Sequence, residues 1–170
     1  MVQIRERDLP ARNAFVAANT LSTASRDTDV KILVNDRADI AVAAATGVHL
    51  TTRSLSVGTV RAAFGADLLI GASTHTPEEV SAAEQGGADF VVFGPVFETP
   101  SKREYGNPVG IDALRRVAIS AKIPVLALGG ISLCNFREAL DAGAAGVAGI
   151  SMFTEAQDLS SLVATIKSGR

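Results

Sequence analysis

The chain has 170 residues, a formal net charge of -2, 47% apolar residues, a single cysteine and no tryptophan. That length is ordinary for one domain, 1–170, and so weak a charge offers no basic field for nucleic acid. The lone Cys134 excludes an intrachain disulfide and points to a reducing compartment; no apolar run approaches a bilayer span, and MVQIRERDLP is too charged for a secretory signal. A soluble, cytoplasmic protein that binds neither nucleic acid nor membrane is therefore expected.

Short β-branched runs recur along the chain: VQI (2–4), KILV (31–34), GVHL (47–50), DLLIGAS (67–73), DFVVFG (89–94), IPVLALGG (123–130) and AGVAGIS (145–151). Most are continuously apolar rather than alternating, the pattern of strands buried on both faces of a parallel sheet. Helical patterns lie between them. Pro10 to Thr20 places Ala11, Ala14, Phe15 and Ala18 on one face. Ser56 is a cap for a helix carrying Val57, Val60 and Phe64. Thr76-Pro77-Glu78-Glu79 supplies a capping threonine, a proline at the first helical position and a glutamate three residues after the cap, and that helix stops at Gly86-Gly87. Ile111 to Ser120 and Leu133 to Ala142 follow, the second ended by Gly143. Asp158 is positioned to cap a last helix with Leu159, Leu162, Val163 and Ile166 at i, i+3, i+4 and i+7.

Strand then helix, seven times over, predicts a parallel α/β architecture. An open doubly wound sheet usually shows a glycine fingerprint after its first strand, and VQIRERDLP has none. Polar residues follow nearly every strand, as in a barrel whose βα loops ring one mouth. The expected fold is a TIM (β/α)8-type barrel. Seven strands are visible, and Met1 sits almost on the first, so the opening βα unit is expected to be lacking.

Several loops carry groups suited to anions. Gly129 and Gly130 follow one strand, and Gly149, Ile150 and Ser151 open a short turn after the next. Backbone N–H donors and one hydroxyl at that place commonly bind phosphate in such barrels, although the same glycines also serve helix–strand packing. Gln3, Arg5 and Arg7 alternate and can share a face, where an anion would offset two guanidiniums; ion pairs with Glu6 or Asp8 are the other reading. Asp36 can hold Mg²⁺ with diphosphate and water, or cap the next helix. His75 can transfer protons or be satisfied by its loop backbone. His49 is expected to pack in the interior, and Cys134, at a helix start, to be structural.

Taken together, QIRERDL, ILVNDRADIA, GVHL, IGASTHTPEEV, GADFVVFGPVFETPSK, PVGIDALRRVA, IPVLALGGI and AGAAGVAGISMF resemble the thiamine phosphate synthase and TenI family, in family order over nearly the whole chain. The resemblance implies a (β/α)8 barrel. It implies condensation of hydroxymethylpyrimidine diphosphate with thiazole phosphate, releasing diphosphate with Mg²⁺. Its alternatives are a TenI-type thiazole tautomerase, with His75 as the acid–base group, and a non-catalytic binder of thiamine precursors. Carried over by position, Gln3, Arg5 and Arg7 would hold diphosphate and pyrimidine, with Arg7 in place of the usual lysine. Asn35 and Ser73 would face the diphosphate, and Asp36 would be one Mg²⁺ ligand. Thr99 and Ser101 would cradle thiazole phosphate beside Gly130, Ile150 and Ser151, and Lys102 would neutralise departing diphosphate.

Two departures stand out. Family synthases follow GVHL with G-Q-E-D, whose aspartate is the second metal ligand, whereas this chain reads Thr51-Thr52-Arg53-Ser54. Ser54 brings no carboxylate and Arg53 adds positive charge. The other departure is the absent first strand and helix. A different start codon, a displaced segment or a second copy of the chain is expected to account for that gap, because an uncovered one exposes two strand edges.

Overall fold

The computed structural model of the chain describes residues 1–6, 8–99 and 107–169. Strands and helices alternate as β1 (Val2–Ile4), α1 (Ala11–Ala24), β2 (Ile32–Asn35), α2 (Ala38–Ala43), β3 (Gly47–Leu50), α3 (Val57–Phe64), β4 (Ile70–Thr74), α4 (Pro77–Gln85), β5 (Phe90–Phe93), α5 (Ile111–Ser120), β6 (Val125–Leu128), α6 (Phe136–Asp141), β7 (Gly146–Ala148), α7 (Ser151–Thr154) and α8 (Leu159–Ser168). Each apolar run read from the sequence overlaps one of these strands: VQI and GVHL coincide with β1 and β3, three more runs enclose β5, β6 and β7, and KILV and DLLIGAS stop one residue short of Asn35 in β2 and Thr74 in β4.

The chain divides into two compact units. One comprises Met1–Ser73 with Ala82–Phe90, the other Thr74–Ser81 with Val91–Arg170. In the first, β1, β2, β3 and β4 follow one another in parallel, with Val34 opposite Ile4 and Val48, Asn35 opposite His49, and His49 opposite Gly71. Its core contains Val48, Val60, Ile70 and Ala18, all essentially shut from solvent. In the second, β5, β6 and β7 are parallel, with Val91 opposite Val125 and Leu126 opposite Gly146. Phe93, Phe136, Leu114 and Val117 fill that core. Side chains of this size contribute about 1.5–3 kcal/mol each when fully buried, which is why these runs are apolar on both faces.

The helix starts follow the capping chemistry of the sequence. Ser56 accepts from Thr59 N at 3.1 Å, and Asp158 Oδ1 accepts from Ser161 N at 3.0 Å. Thr76 Oγ1 accepts from Glu79 N at 3.2 Å. The Glu79 carboxylate reaches past the cap itself and takes His75 N–H at 2.5 Å. Three helices depart from the sequence reading. α6 begins at Phe136 rather than Leu133, because Asn135 is spent on the preceding loop. α2 starts with no side-chain cap, and its N-cap residue is Arg37, so Asp36 does not cap it. In α1 the pattern holds at Ala14 and Ala18, while Ala11 and Phe15 are exposed.

A guanidinium fastens one end of the first unit. Arg61 donates to the carbonyls of Gly65, Ala66, Leu68 and Gly87 and to Asp89 Oδ2, the last at 2.8 Å. Asp89 Oδ2 also accepts from Ile70 N at 2.7 Å, tying α3 to the start of β4. Among the described residues no buried side-chain nitrogen or oxygen lacks a partner. No helix among them is long and apolar enough to cross a membrane.

Candidate active site

In the first unit, polar side chains gather where β1 to β4 end. Gln3 Nε2 donates to Asn35 Oδ1 at 2.9 Å, joining β1 to β2. Asn35 stands opposite His49 in the β2–β3 ladder. His49 Nε2 lies 2.8 Å from Ser73 Oγ, joining β3 to β4. Three of the four are expected site residues; the fourth is the histidine expected only to pack. Burial, joined by the Arg5 charge, pushes His49 down to about 4, so its imidazole is neutral near pH 7. Arg5 follows the end of β1 and is exposed, near enough for its charge to act on His49.

Asp36 is the next residue after Asn35. It is exposed, its backbone takes a left-handed φ of 61°, and its N–H donates to His49 O at 2.9 Å. A non-glycine residue held at positive φ is uncommon and tends to sit at functional turns. The neighbouring acid, Asp39, is committed to Arg37 through two bonds of 2.9 and 2.6 Å, which hold its carboxyl below the usual carboxylate range. Ser54, the position of the absent second carboxylate, turns its hydroxyl back on its own loop, accepting from Thr51 N at 2.7 Å. Arg53 N in turn donates to Thr51 Oγ1 at 3.3 Å. Among the described residues, no three His, Cys, Asp or Glu side chains converge on a metal position.

In the second unit, His75 is half-buried and its Nδ1 hydrogen-bonds the carbonyl of Gly94. A carbonyl only accepts, so Nδ1 carries the hydrogen and a neutral His75 keeps Nε2 as its acceptor nitrogen. The loop after β6 is set by Gly130, whose φ is 65° and whose missing Cβ would meet Glu98 O at 2.5 Å. Asn135 holds this loop from both sides: its Nδ2 donates to Gly130 O and its Oδ1 accepts from Ser132 N, each at 2.8 Å. Phe97 N reaches Gly129 O at 3.0 Å, so the β5 and β6 loops are laced together. Ile150 and Ser151 are exposed at the start of α7, and Thr99 is half-buried in the β5 loop. Arg7, Ser101 and Lys102 lie outside the described residues. Cys134 is exposed, two residues before α6, rather than at its first turn.

Sequence reading therefore missed His49 and Asn135 as polar contributors. A histidine inside an apolar strand and an asparagine five residues after Gly130 were the available signals.

A parallel β/α chain with polar side chains and tight glycine turns near the carboxyl ends of its strands is the class defined by this geometry. The family described as thiamine monophosphate synthase matches residues 1–153, and the chain belongs to it. A relative from Geobacter sulfurreducens that bears the thiamine-phosphate synthase name is 49% identical over 151 residues, covering 88% of this chain and 71% of its own. The thiamine-phosphate synthase of Halalkalibacterium halodurans is 38% identical over 160 residues, covering 94% and 76%. Among solved structures, the thiamine phosphate pyrophosphorylase of Pyrococcus furiosus superposes with a TM-score of 0.88 at 33% identity, covering 98% of this chain and 80% of that one. The fold is accordingly of the TIM (β/α) type.

Proposed function

We propose that the chain is a transferase of thiamine biosynthesis, a thiamine-phosphate synthase that joins hydroxymethylpyrimidine diphosphate to thiazole phosphate and releases diphosphate. The observation that carries this reading is the polar strip of the first unit, in which Gln3 on β1, Asn35 on β2 and Ser73 on β4 carry hydrogen-bonding groups, with the Arg5 charge acting on His49 between them.

The chemistry asks for no protein nucleophile. The C–O bond between the pyrimidine methylene and diphosphate breaks, the electron-rich pyrimidine carries the resulting positive charge, and the thiazole nitrogen forms the new C–N bond. Diphosphate leaves with the electron pair of the broken bond. The protein must stabilise that leaving charge and hold the two rings in line. Arg5, Arg7, Lys102, Asn35 and Ser73 serve the diphosphate in this reading, with Gln3 fixing Asn35. Thr99, Ser101, Gly130, Ile150 and Ser151 serve the thiazole phosphate, through hydroxyls and backbone N–H groups.

The donors present suit a Mg²⁺ ion that arrives with the diphosphate, better than a cage built by the protein. Asp36 would supply one carboxylate, and the remaining oxygens would come from diphosphate and water, as Mg²⁺ commonly accepts. Such an ion would offset negative charge on the leaving group. Ser54 contributes nothing to it, because its hydroxyl is turned to Thr51.

Purified protein incubated with both phosphorylated precursors should form thiamine phosphate, faster with Mg²⁺ than with a chelator. Conversion of a thiazole tautomer without condensation would replace this reading by the isomerase one. Binding of precursors with no turnover of either would leave a binding protein.

A further inference from the structure

The buried histidine of the first unit is not used by the chemistry above, and its surroundings are specific. His49 is 6% exposed. Its ring packs tilted against Phe90 at a centroid distance of 6.2 Å. Phe90 fits there because position 71, opposite His49 in the ladder, is glycine: a Cβ on Gly71 would lie 2.2 Å from Phe90 Cζ. The imidazole is thus held in place, with Nε2 2.8 Å from Ser73 Oγ.

We propose that His49 is a positioning residue for Ser73: its Nε2–H donates to Ser73 Oγ, so that the serine's own hydrogen is directed to an oxygen of a bound diphosphate. This rests on the synthase reading for the identity of the anion. The argument is one of hydrogen count. A neutral imidazole has one N–H and one acceptor nitrogen, and a serine has one hydrogen to give. The ionised oxygens of diphosphate only accept, so a serine that binds one of them must spend its hydrogen on the ligand. Its oxygen is then left to accept, and Nε2 must be the protonated nitrogen. Burial of the ring opposes an imidazolium, and Nε2 is the nitrogen that must carry the donated hydrogen in either protonation state. The opposite tautomer would make Ser73 an acceptor, suited to a ligand N–H and not to an anion.

Two measurements on the full chain test this. The chain has two histidines, so long-range ¹H–¹⁵N correlation of ¹⁵N-histidine protein, compared with His49→Gln, assigns His49 directly. The proposal expects a protonated Nε2, and an unprotonated Nε2 overturns it. Inorganic diphosphate binding is then measured by calorimetry on wild type, His49→Leu, His49→Gln, Ser73→Ala and the His49→Leu/Ser73→Ala pair. Leucine at 49 should weaken binding about tenfold, the size of one charge-assisted hydrogen bond. Glutamine, which keeps an N–H donor, should restore most of it, and leucine should cost nothing further in the Ser73→Ala background. Wild-type affinity in His49→Leu, fully additive losses, or no diphosphate binding by wild type would each overturn the proposal. Turnover of the two precursors is scored separately: a chain that couples His49 to diphosphate binding yet makes no thiamine phosphate sinks the synthase reading alone.

Discussion

Gln3 and Asn35, thirty-two residues apart in sequence, meet at 2.9 Å through Nε2 and Oδ1 and link the ends of β1 and β2. The bond orients Asn35, because an amide oxygen engaged by Gln3 leaves the Asn35 NH₂ as the group to face a ligand. Gln3→Leu should therefore lower stability by about 1 kcal/mol, the net worth of an ordinary hydrogen bond. It should raise KM for the pyrimidine diphosphate more than it lowers kcat. Urea unfolding and steady-state kinetics check both, and an unchanged KM would detach Gln3 from the substrate.

Arg5 and Lys102 are assigned to the leaving group. Each replaced by alanine should cut kcat/KM by roughly 10²-fold or more, as loss of a donor aimed at developing charge does. Substrate-saturation kinetics on both variants make the check. Rates like wild type in both would remove the diphosphate assignment.

Arg61 offers a contrast, since its bonds go to carbonyls of the chain itself and to Asp89. Lysine keeps the charge but cannot reproduce the planar fork. Arg61→Lys should cost about 1–2 kcal/mol in stability, as loss of several part-buried hydrogen bonds does. Diphosphate affinity should be unchanged. Chemical denaturation together with calorimetry separates the two effects.

His49 also predicts a pH dependence. Its folded value of about 4 lies below the ordinary value of 6.5, so between these the unfolded chain binds a proton that the folded chain refuses. Stability is then full above pH 6.5 and falls as pH drops toward 4, by about 3 kcal/mol from this group. His49→Gln should show a flatter profile over the same window in urea titrations at several pH values. Equal slopes for the two proteins would contradict the burial argument.

Much of this architecture is legible in the residues, and the rest is hidden for identifiable reasons. Ile32, Leu33 and Val34 read as a strand because both faces are buried, and the caps at Ser56, Thr76 and Asp158 are local chemistry. The α2 helix carries no comparable start signal, having no side-chain cap. The start of α6 was misplaced because Asn135 serves the Gly130 loop, a use that linear spacing does not reveal. The pairing of His49 with Ser73 depends on the register of β3 against β4, so a buried histidine in GVHL reads only as packing until the strands are aligned. Of the residues expected to meet anions, Gln3, Arg5, Arg7, Gly130, Ile150 and Ser151 follow from alternation and glycine loops, whereas Asn35, Ser73, Thr99, Ser101 and Lys102 follow from family resemblance laid over strand ends. Gln3, Asn35 and Ser73 are joined in one strip, and Arg7, Ser101 and Lys102 lie outside the described residues.

Gly130 supplies a prediction for the second unit. At a φ of 65°, and with Glu98 O 2.5 Å from any added Cβ, Gly130→Ala should lose about 1–3 kcal/mol or displace the loop. Affinity for thiazole phosphate should fall with it. Thermal unfolding and a thiazole phosphate titration report the two.

The central claim is that this chain transfers a pyrimidine methylene from diphosphate to a thiazole nitrogen. Phosphorus NMR of purified protein with both precursors follows that directly. Free diphosphate should grow in step with thiamine phosphate, one for one, and neither should form when either precursor is left out. Diphosphate released without thiamine phosphate, or no change in either signal, would contradict it.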